Sequence, residues 1–107
     1  MQTMTIYTLV NISPAHSGFG MWDRGEVQSS PENSYAFLGD LEARAEITPL
    51  ESALEDEDFK SAGIENINGR IHNQPGRLYA KIYEDIYGSR VHYYGVVESE
   101  VPENYFD

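Results

Sequence analysis

Strict alternation of side-chain types predicts a strand near the N-terminus. In residues 4–12, Ile6, Thr8 and Val10 point to one side, and the residues between them point to the other. β-branched residues dominate the segment, as they do in sheets. We expect the strand to end before Pro14, and the segment around residues 21–27 is a candidate second strand.

The same period of two predicts a hairpin in the last third of the chain. Residues 77–84 and 90–98 are β-rich runs joined by a turn near Gly88. The first run presents two faces, Leu78, Ala80 and Ile82 against Tyr79, Lys81 and Tyr83. We expect the first face to cover the core and the tyrosine row to stay half-exposed.

Two central segments have helical spacing. Residues 31–45 repeat apolar side chains at intervals of three and four after a Ser30-Pro31 start signal. Residues 48–60 have a stronger signal, because Thr48 and Glu51 form a capping-box pattern around Pro49. The expected buried stripe of this second helix comprises Ile47, Leu50, Ala53 and Leu54.

Helices between hairpin-like strands indicate an α+β fold. We predict one domain over residues 1–107, with an antiparallel sheet of about four to five strands and one or two central helices. Residues 99–107 follow the last predicted strand as an acidic tail, a candidate for flexibility.

Composition narrows the function. The 107 residues include 18 Asp and Glu against 7 Lys and Arg, a net charge of −11, yet 40% are hydrophobic and 12% aromatic. That apolar share indicates a folded protein rather than a disordered acidic segment. Such a charge repels phosphate, so we expect neither direct nucleic-acid binding nor attachment to an anionic membrane. Without a membrane-span pattern or a secretory leader, the sequence predicts a soluble, cytoplasmic protein.

The negative charge is unevenly distributed. Residues 40–67 hold nine acidic residues against two basic ones, and residues 98–107 hold four acidic residues and no base. Residues 68–97 carry a net charge of +2, and residues 1–39 carry −2. The chain is therefore predicted to have an acidic region beside a mildly basic one.

The second predicted helix concentrates this charge. Glu51, Glu55 and Asp58 are spaced at i, i+4 and i+7, which places them on one helical face, and Asp56 and Glu57 widen the field. Asp56, Glu57 and Asp58 would lie towards the unfavourable end of the helix dipole. Two interpretations remain open, namely a solubilising face and a surface that meets a positive partner.

Aromatic residues offer a different contact surface. Phe19 and Trp22 lie in a glycine-containing loop, where they either anchor an interface or fold back into a small core. Tyr79 and Tyr83 of the tyrosine row are a second aromatic candidate, and cross-strand packing is the alternative reading.

Motifs for catalysis are missing from the sequence. There are no cysteines, and the three histidines have no second ligand at metal spacing. The glycine loop lacks the phosphate-binding pattern, and no serine lies in a nucleophile elbow. We therefore expect no enzyme activity, no metal and no cofactor, although a concealed small-molecule site stays open as an alternative.

In size, charge and compactness the chain resembles small acidic phage proteins that block host defence nucleases, such as anti-CRISPR and anti-restriction proteins, and bacterial immunity proteins. This resemblance implies an inhibitor that covers the basic, nucleic-acid-binding surface of a protein, such as a nuclease. The alternative is an immunity or adaptor protein that binds through Phe19, Trp22 and the tyrosine row. The expected contact residues are Glu51, Glu55, Asp56, Asp58, Glu98, Glu100, Glu103, Trp22, Tyr79 and Tyr83.

Overall fold

A single sheet organises the part of the chain that the computed structural model describes, residues 2–14, 20–24, 34–72 and 75–106. Its seven strands are β1 (Thr3–Pro14), β2 (Trp22–Arg24), β3 (Ser34–Tyr35), β4 (Thr48–Pro49), β5 (Ile71–His72), β6 (Arg77–Asp85) and β7 (Gly88–Pro102). The three helices are α1 (Leu38–Ala45), α2 (Leu50–Leu54) and α3 (Glu57–Ser61). The strand order is β4-β6-β7-β1-β2-β5, with β3 also paired to β1.

The prediction of an α+β fold is confirmed, but the predictions of four to five strands and of one or two helices are wrong, since the described residues form seven strands and three helices. Strand β2 lies within the candidate second strand at residues 21–27, whereas the unpredicted strands β3, β4 and β5 are each two residues long. Segments this short contain too few side chains to show alternation. All pairings are antiparallel except that of β2 with β5, which is parallel.

The three long strands are staggered. Strand β7 pairs with β1 over residues 93–102 and with β6 over residues 88–96. Residues 81–92 therefore form a two-stranded extension beyond the end of the β1 pairing, which we call the arm. This stagger gives the molecule principal extents of 48 × 30 × 25 Å.

Hydrophobic side chains cover both faces of the sheet. On one face, α2, α3 and the segment that follows them supply Leu50, Ala53, Phe59 and Ile67 to a core with Tyr93. On the opposite face, α1 supplies Leu41, which lies in a second core with Ile47, Tyr79 and Val96. Ile47 and Leu50 thus belong to different cores, whereas the sequence placed them on one helical stripe.

The single helix expected at residues 48–60 is interrupted at Asp56, whose backbone is extended, so the prediction that Glu51, Glu55 and Asp58 share one helical face is wrong for Asp58. Thr48 and Pro49 pair with β6 as strand β4, so α2 begins only at Leu50. Asp56 then caps α3, since its Oδ1 accepts hydrogen bonds from the backbone N–H groups of Asp58 (2.8 Å) and Phe59 (3.3 Å). The side-chain N-cap in this segment is therefore provided by Asp56, at the start of α3, and not by Thr48.

The first helix begins later than predicted. The structure places α1 at Leu38–Ala45 and assigns Ser34–Tyr35 to strand β3. The predicted start at residues 31–33 lies outside the described residues. The Ser34 hydroxyl is buried within 3.1 Å of the Thr8 hydroxyl, a hydrogen bond that holds β3 against β1.

The long strands agree well with their predicted positions. Strand β1 includes the expected segment 4–12, and Ile6, Thr8 and Val10 are buried on one side as the alternation requires. The expected end before Pro14 is wrong, because Ser13 and Pro14 continue the strand and pair with β2. Strand β6 matches its prediction to within one residue. Strand β7 continues to Pro102, so the first four residues assigned to the acidic tail, 99–102, are part of the sheet.

Candidate acidic interface

The two short helices α2 and α3 carry a group of exposed acidic side chains, which we call the α2–α3 acidic surface. Its members are Glu51, Glu55, Asp56, Glu57 and Asp58. Buried Leu50, Ala53 and Phe59 hold these helices on the sheet from the other side. The backbone that presents the carboxylates is therefore anchored by core packing.

Three of the five carboxylates have no partner within the described part of the chain. Glu51, Glu55 and Asp58 make neither an ion pair nor a side-chain hydrogen bond among the residues that the structure describes. Oε1 of Glu57 lies 3.6 Å from Nζ of Lys60 in an exposed ion pair. The Asp56 carboxylate caps α3. The surface therefore combines one structural carboxylate with several uncompensated ones.

The break between α2 and α3 changes the electrostatics expected for this segment. Glu51 lies in the first turn of α2, and Glu57 and Asp58 lie in the first turn of α3. Acidic residues are favourable at helix N-termini. The expectation that Asp56, Glu57 and Asp58 lie towards the unfavourable end of one helix is therefore wrong.

The C-terminal acidic residues form a separate group. Glu98 pairs with Arg77 at 3.5 Å, and Glu100 accepts hydrogen bonds from the hydroxyls of Thr3 and Thr5, both at 2.8 Å. These hydroxyls lower the pKa of Glu100 below its ordinary value. Glu103 is exposed just after β7. Glu100 lies seven residues along β7 from the core residue Tyr93, a distance of about 23 Å along the strand.

Among the described residues, the structure does not bring the predicted aromatic contact residues together on one exposed surface. Tyr79 is only 3% exposed, and its hydroxyl donates to Glu42 at 2.8 Å. Trp22 is half-buried, with its ring edge-to-face on Tyr93 at 4.8 Å between ring centroids. Phe19 lies outside the described residues. Of the named aromatic residues described, only Tyr83 is exposed.

Burial explains the unusual chemistry of Tyr79. Desolvation, together with the hydrogen bond to Glu42 and the negative charge of that residue, raises the pKa of Tyr79 to about 12. The row was expected to be half-exposed because one face of the sheet was assumed to face water. Helix α1 covers that face, so Tyr79 is a core residue.

The end of the arm exposes apolar residues that the sequence analysis did not single out. Ile86 is 91% exposed and Tyr87 is 88% exposed in the turn between β6 and β7. Two-residue hairpin turns favour Gly, Asn and Asp, so an Ile-Tyr pair between Asp85 and Gly88 was the available signal. Asp85 secures the turn, since it pairs with Arg90 and accepts a hydrogen bond from the Tyr87 N–H.

Tyr83 connects this turn to the body of the arm. Its ring stacks on His92 at 5.0 Å with an interplanar angle of 8°. The guanidinium of Arg90 lies 5.5 Å from the centre of the same ring. The arm therefore exposes an aromatic and cationic face, unlike the acidic helices.

A groove of about 590 Å³ lies along the sheet edge where β4 meets β6. Its walls include Glu42 from α1 and Glu51 from α2, and its lining also contains Leu54, Leu78 and Arg77. Glu42 is engaged by Tyr79, and Arg77 by Glu98. The groove extends negative charge from the α2–α3 acidic surface around the sheet edge.

Metal-binding geometry is not found in the described part of the chain, where no three His, Asp or Glu side chains gather as they do around an ion. Within the same residues, none of the helices has the length and apolar character needed to cross a membrane. No protein-family model, curated protein or solved structure matches the chain.

Proposed function

We propose that this protein is a non-enzymatic inhibitor that binds a basic protein surface through the α2–α3 acidic surface and thereby blocks nucleic-acid binding there. The observation that carries the proposal is the set of three exposed carboxylates, on Glu51, Glu55 and Asp58, that no described side chain neutralises. Such uncompensated charge is available to Lys and Arg side chains of a partner.

Electrostatics favours binding over simple solubility as the role of this surface. Grouped charges of one sign raise the rate at which an oppositely charged protein docks, and they disfavour wrong partners. Solubility requires only net charge, which the other acidic residues already supply. The clustering of five acidic side chains on α2 and α3 is better explained by recognition.

Rigid presentation strengthens the proposal. Carboxylates that are already held in position lose little conformational entropy on binding. Here the core residues Leu50, Ala53 and Phe59 fix both helices, and the Asp56 cap fixes the start of α3. The surface imitates part of a nucleic-acid backbone, whose charges are spaced about 1.7 Å apart along a duplex axis.

The C-terminal acidic residues have a lesser role in this proposal. Glu98 and Glu100 already have partners in Arg77, Thr3 and Thr5. A partner's lysine would have to compete with these contacts. We therefore place the main contact on α2 and α3, and we propose a nuclease or another nucleic-acid-binding complex, of the kind that phage anti-defence proteins block, as the partner class.

Competition with DNA tests the proposal. Immobilised protein is exposed to a bacterial lysate at about 50 mM salt and then washed with duplex DNA or with about 500 mM salt. We expect a basic, nucleic-acid-binding protein to be retained and to be released by both washes. Retained proteins that DNA does not release would contradict the proposed mode of inhibition.

A pair of charge variants makes the test specific. The first variant is Glu51→Lys/Glu55→Lys/Asp58→Lys, and its control is Asp40→Lys/Glu65→Lys/Glu84→Lys, which changes the net charge equally at exposed positions outside the predicted contact residues. The proposal requires the control to retain the same protein and the first variant to lose it.

A further inference from the structure

Strand β6 has an open outer edge in the arm. Strand β4 covers β6 only at Tyr79 and Ala80. From residue 81 to residue 85, no strand of the described chain pairs with that side of β6. An open edge presents unpaired backbone N–H and C=O groups to any strand that can align with them.

The side chains along this edge are complementary to themselves. Lys81, Tyr83 and Asp85 point to one face of the sheet, and Tyr83 lies midway between the two charges. If two copies pair antiparallel about Tyr83, each Lys81 lies opposite Asp85 of the second copy. Within one copy Lys81 contacts Glu46 and the Ala45 carbonyl, and Asp85 contacts Arg90, so the new pairs would compete with these contacts. Opposite charges facing each other across a strand pair are stabilising, whereas like charges are not. A shift of register loses both charge pairs.

The exposed turn fits the same arrangement. Beyond Lys81, the next residue of β6 is Ala80, which pairs with Thr48 of β4. The turn residues Ile86 and Tyr87 would therefore meet the end of β4 in the second copy. Ile86 and Tyr87 are the two most exposed large hydrophobic side chains among the described residues, and the dimer would bury their apolar surface away from water.

We propose that two copies of this chain associate through the β6 edge as a symmetric dimer whose sheet continues across the interface. The contact is small, so we expect a weak dimer with a dissociation constant of ~100 μM. Each copy carries a net charge of −11, so added salt reduces their repulsion and strengthens the dimer. Binding to a basic partner through α2 and α3 has the opposite salt dependence, so the two proposals fail separately.

Sedimentation velocity of the full chain measures this association directly. We expect a monomer at about 10 μM and a substantial dimer fraction at about 500 μM, with more dimer at about 500 mM salt than at about 50 mM salt. A monomer at every concentration and salt level would overturn the proposal. Dimer that is lost as salt rises would also overturn it.

Charge exchange identifies the register. Lys81→Glu puts a carboxylate opposite Asp85 of the second copy, and Asp85→Lys puts two cations opposite each other. Each variant alone should therefore raise the dissociation constant of the dimer at least tenfold. An equal mixture of the two variants restores opposite charges at both positions. We expect the mixture to recover the dimer, which misfolded variants could not do. No recovery in the mixture of folded variants contradicts this register.

Replacing the exposed apolar residues of the turn by aspartate tests whether the turn contributes to the dimer. Ile86→Asp/Tyr87→Asp should abolish the dimer, because these side chains would be buried beside charged groups. The matched control is Phe37→Asp/Phe106→Asp, which adds the same charge at two exposed aromatic residues outside the β6 edge. Circular dichroism checks that both variants remain folded. Equal dimer fractions in the two variants would contradict the arrangement.

Discussion

The hydroxyl of Tyr79 on β6 donates a 2.8 Å hydrogen bond to the carboxylate of Glu42 on α1. This contact joins the sheet to the helix that covers its second face, and it lies within a core that also contains Leu41 and Val96. It makes Tyr79 a structural residue. It also makes folding stability sensitive to alkaline pH.

Tyr79→Phe should flatten the dependence of stability on pH above neutrality. The pKa of Tyr79 is raised from 10.0 to about 12 in the folded protein, so its contribution is complete below pH 10 and is lost as pH rises to 12. We expect the wild type to lose about 2–3 kcal/mol of unfolding free energy from this residue over that interval. Urea titrations at pH 9 and at higher pH measure the difference.

Tyr83→Phe is the control for that titration, because Tyr83 is 47% exposed. It should keep the wild-type decline in unfolding free energy. The assignment to Tyr79 would be wrong if Tyr79→Phe and the wild type declined in parallel.

Asp56→Ala should destabilise the protein by about 1 kcal/mol, since it removes the side chain that caps α3. Asp58→Ala, two residues later, removes a carboxylate without a described partner and should change stability by less than about 0.5 kcal/mol. Chemical unfolding of both variants measures the contrast. Equal losses would mean that the Asp56 cap does not stabilise α3.

Gly95→Ala and Gly39→Ala should change stability in opposite directions. A Cβ at Gly95 would lie 2.9 Å from Pro75 Cβ, 3.1 Å from Val10 Cγ2 and closer still to Pro75 Cγ, so we expect a loss of about 1–3 kcal/mol. A Cβ at Gly39 meets nothing within 4 Å, and alanine in α1 should add up to ~1 kcal/mol. Thermal melts of the two variants give the signs, and a stabilising Gly95→Ala would show that this close approach is not real.

Sequence patterns predicted the long strands because many side chains contribute to each alternation. They did not predict β3 or β4, since two residues carry no period. The break at Asp56 was missed because an acidic run contains several equivalent capping candidates. Tyr79 was placed on a half-exposed face because alternation alone does not reveal that α1 covers it.

The candidate acidic interface was likewise predictable from the sequence only in part. The exposure of Glu51, Glu55 and Asp58 was predicted from a helical face that points away from Leu50 and Leu54, although the helix is broken before Asp58. Their lack of partners, and the partners of Glu98 and Glu100, depend on distant segments that only the fold brings together. The exposed Ile86-Tyr87 turn was readable as an unusual turn composition, but its exposure depends on the stagger of β1 and β7.

The affinity of the purified retained partner for three forms of the protein tests the central claim most directly. For Glu51→Lys/Glu55→Lys/Asp58→Lys we expect binding at least ~30-fold weaker than for the wild type, about 2 kcal/mol over three charge contacts. For the control Asp40→Lys/Glu65→Lys/Glu84→Lys we expect a change of less than ~3-fold. If both variants weaken binding equally, net charge rather than the α2–α3 acidic surface is responsible, and the account is contradicted.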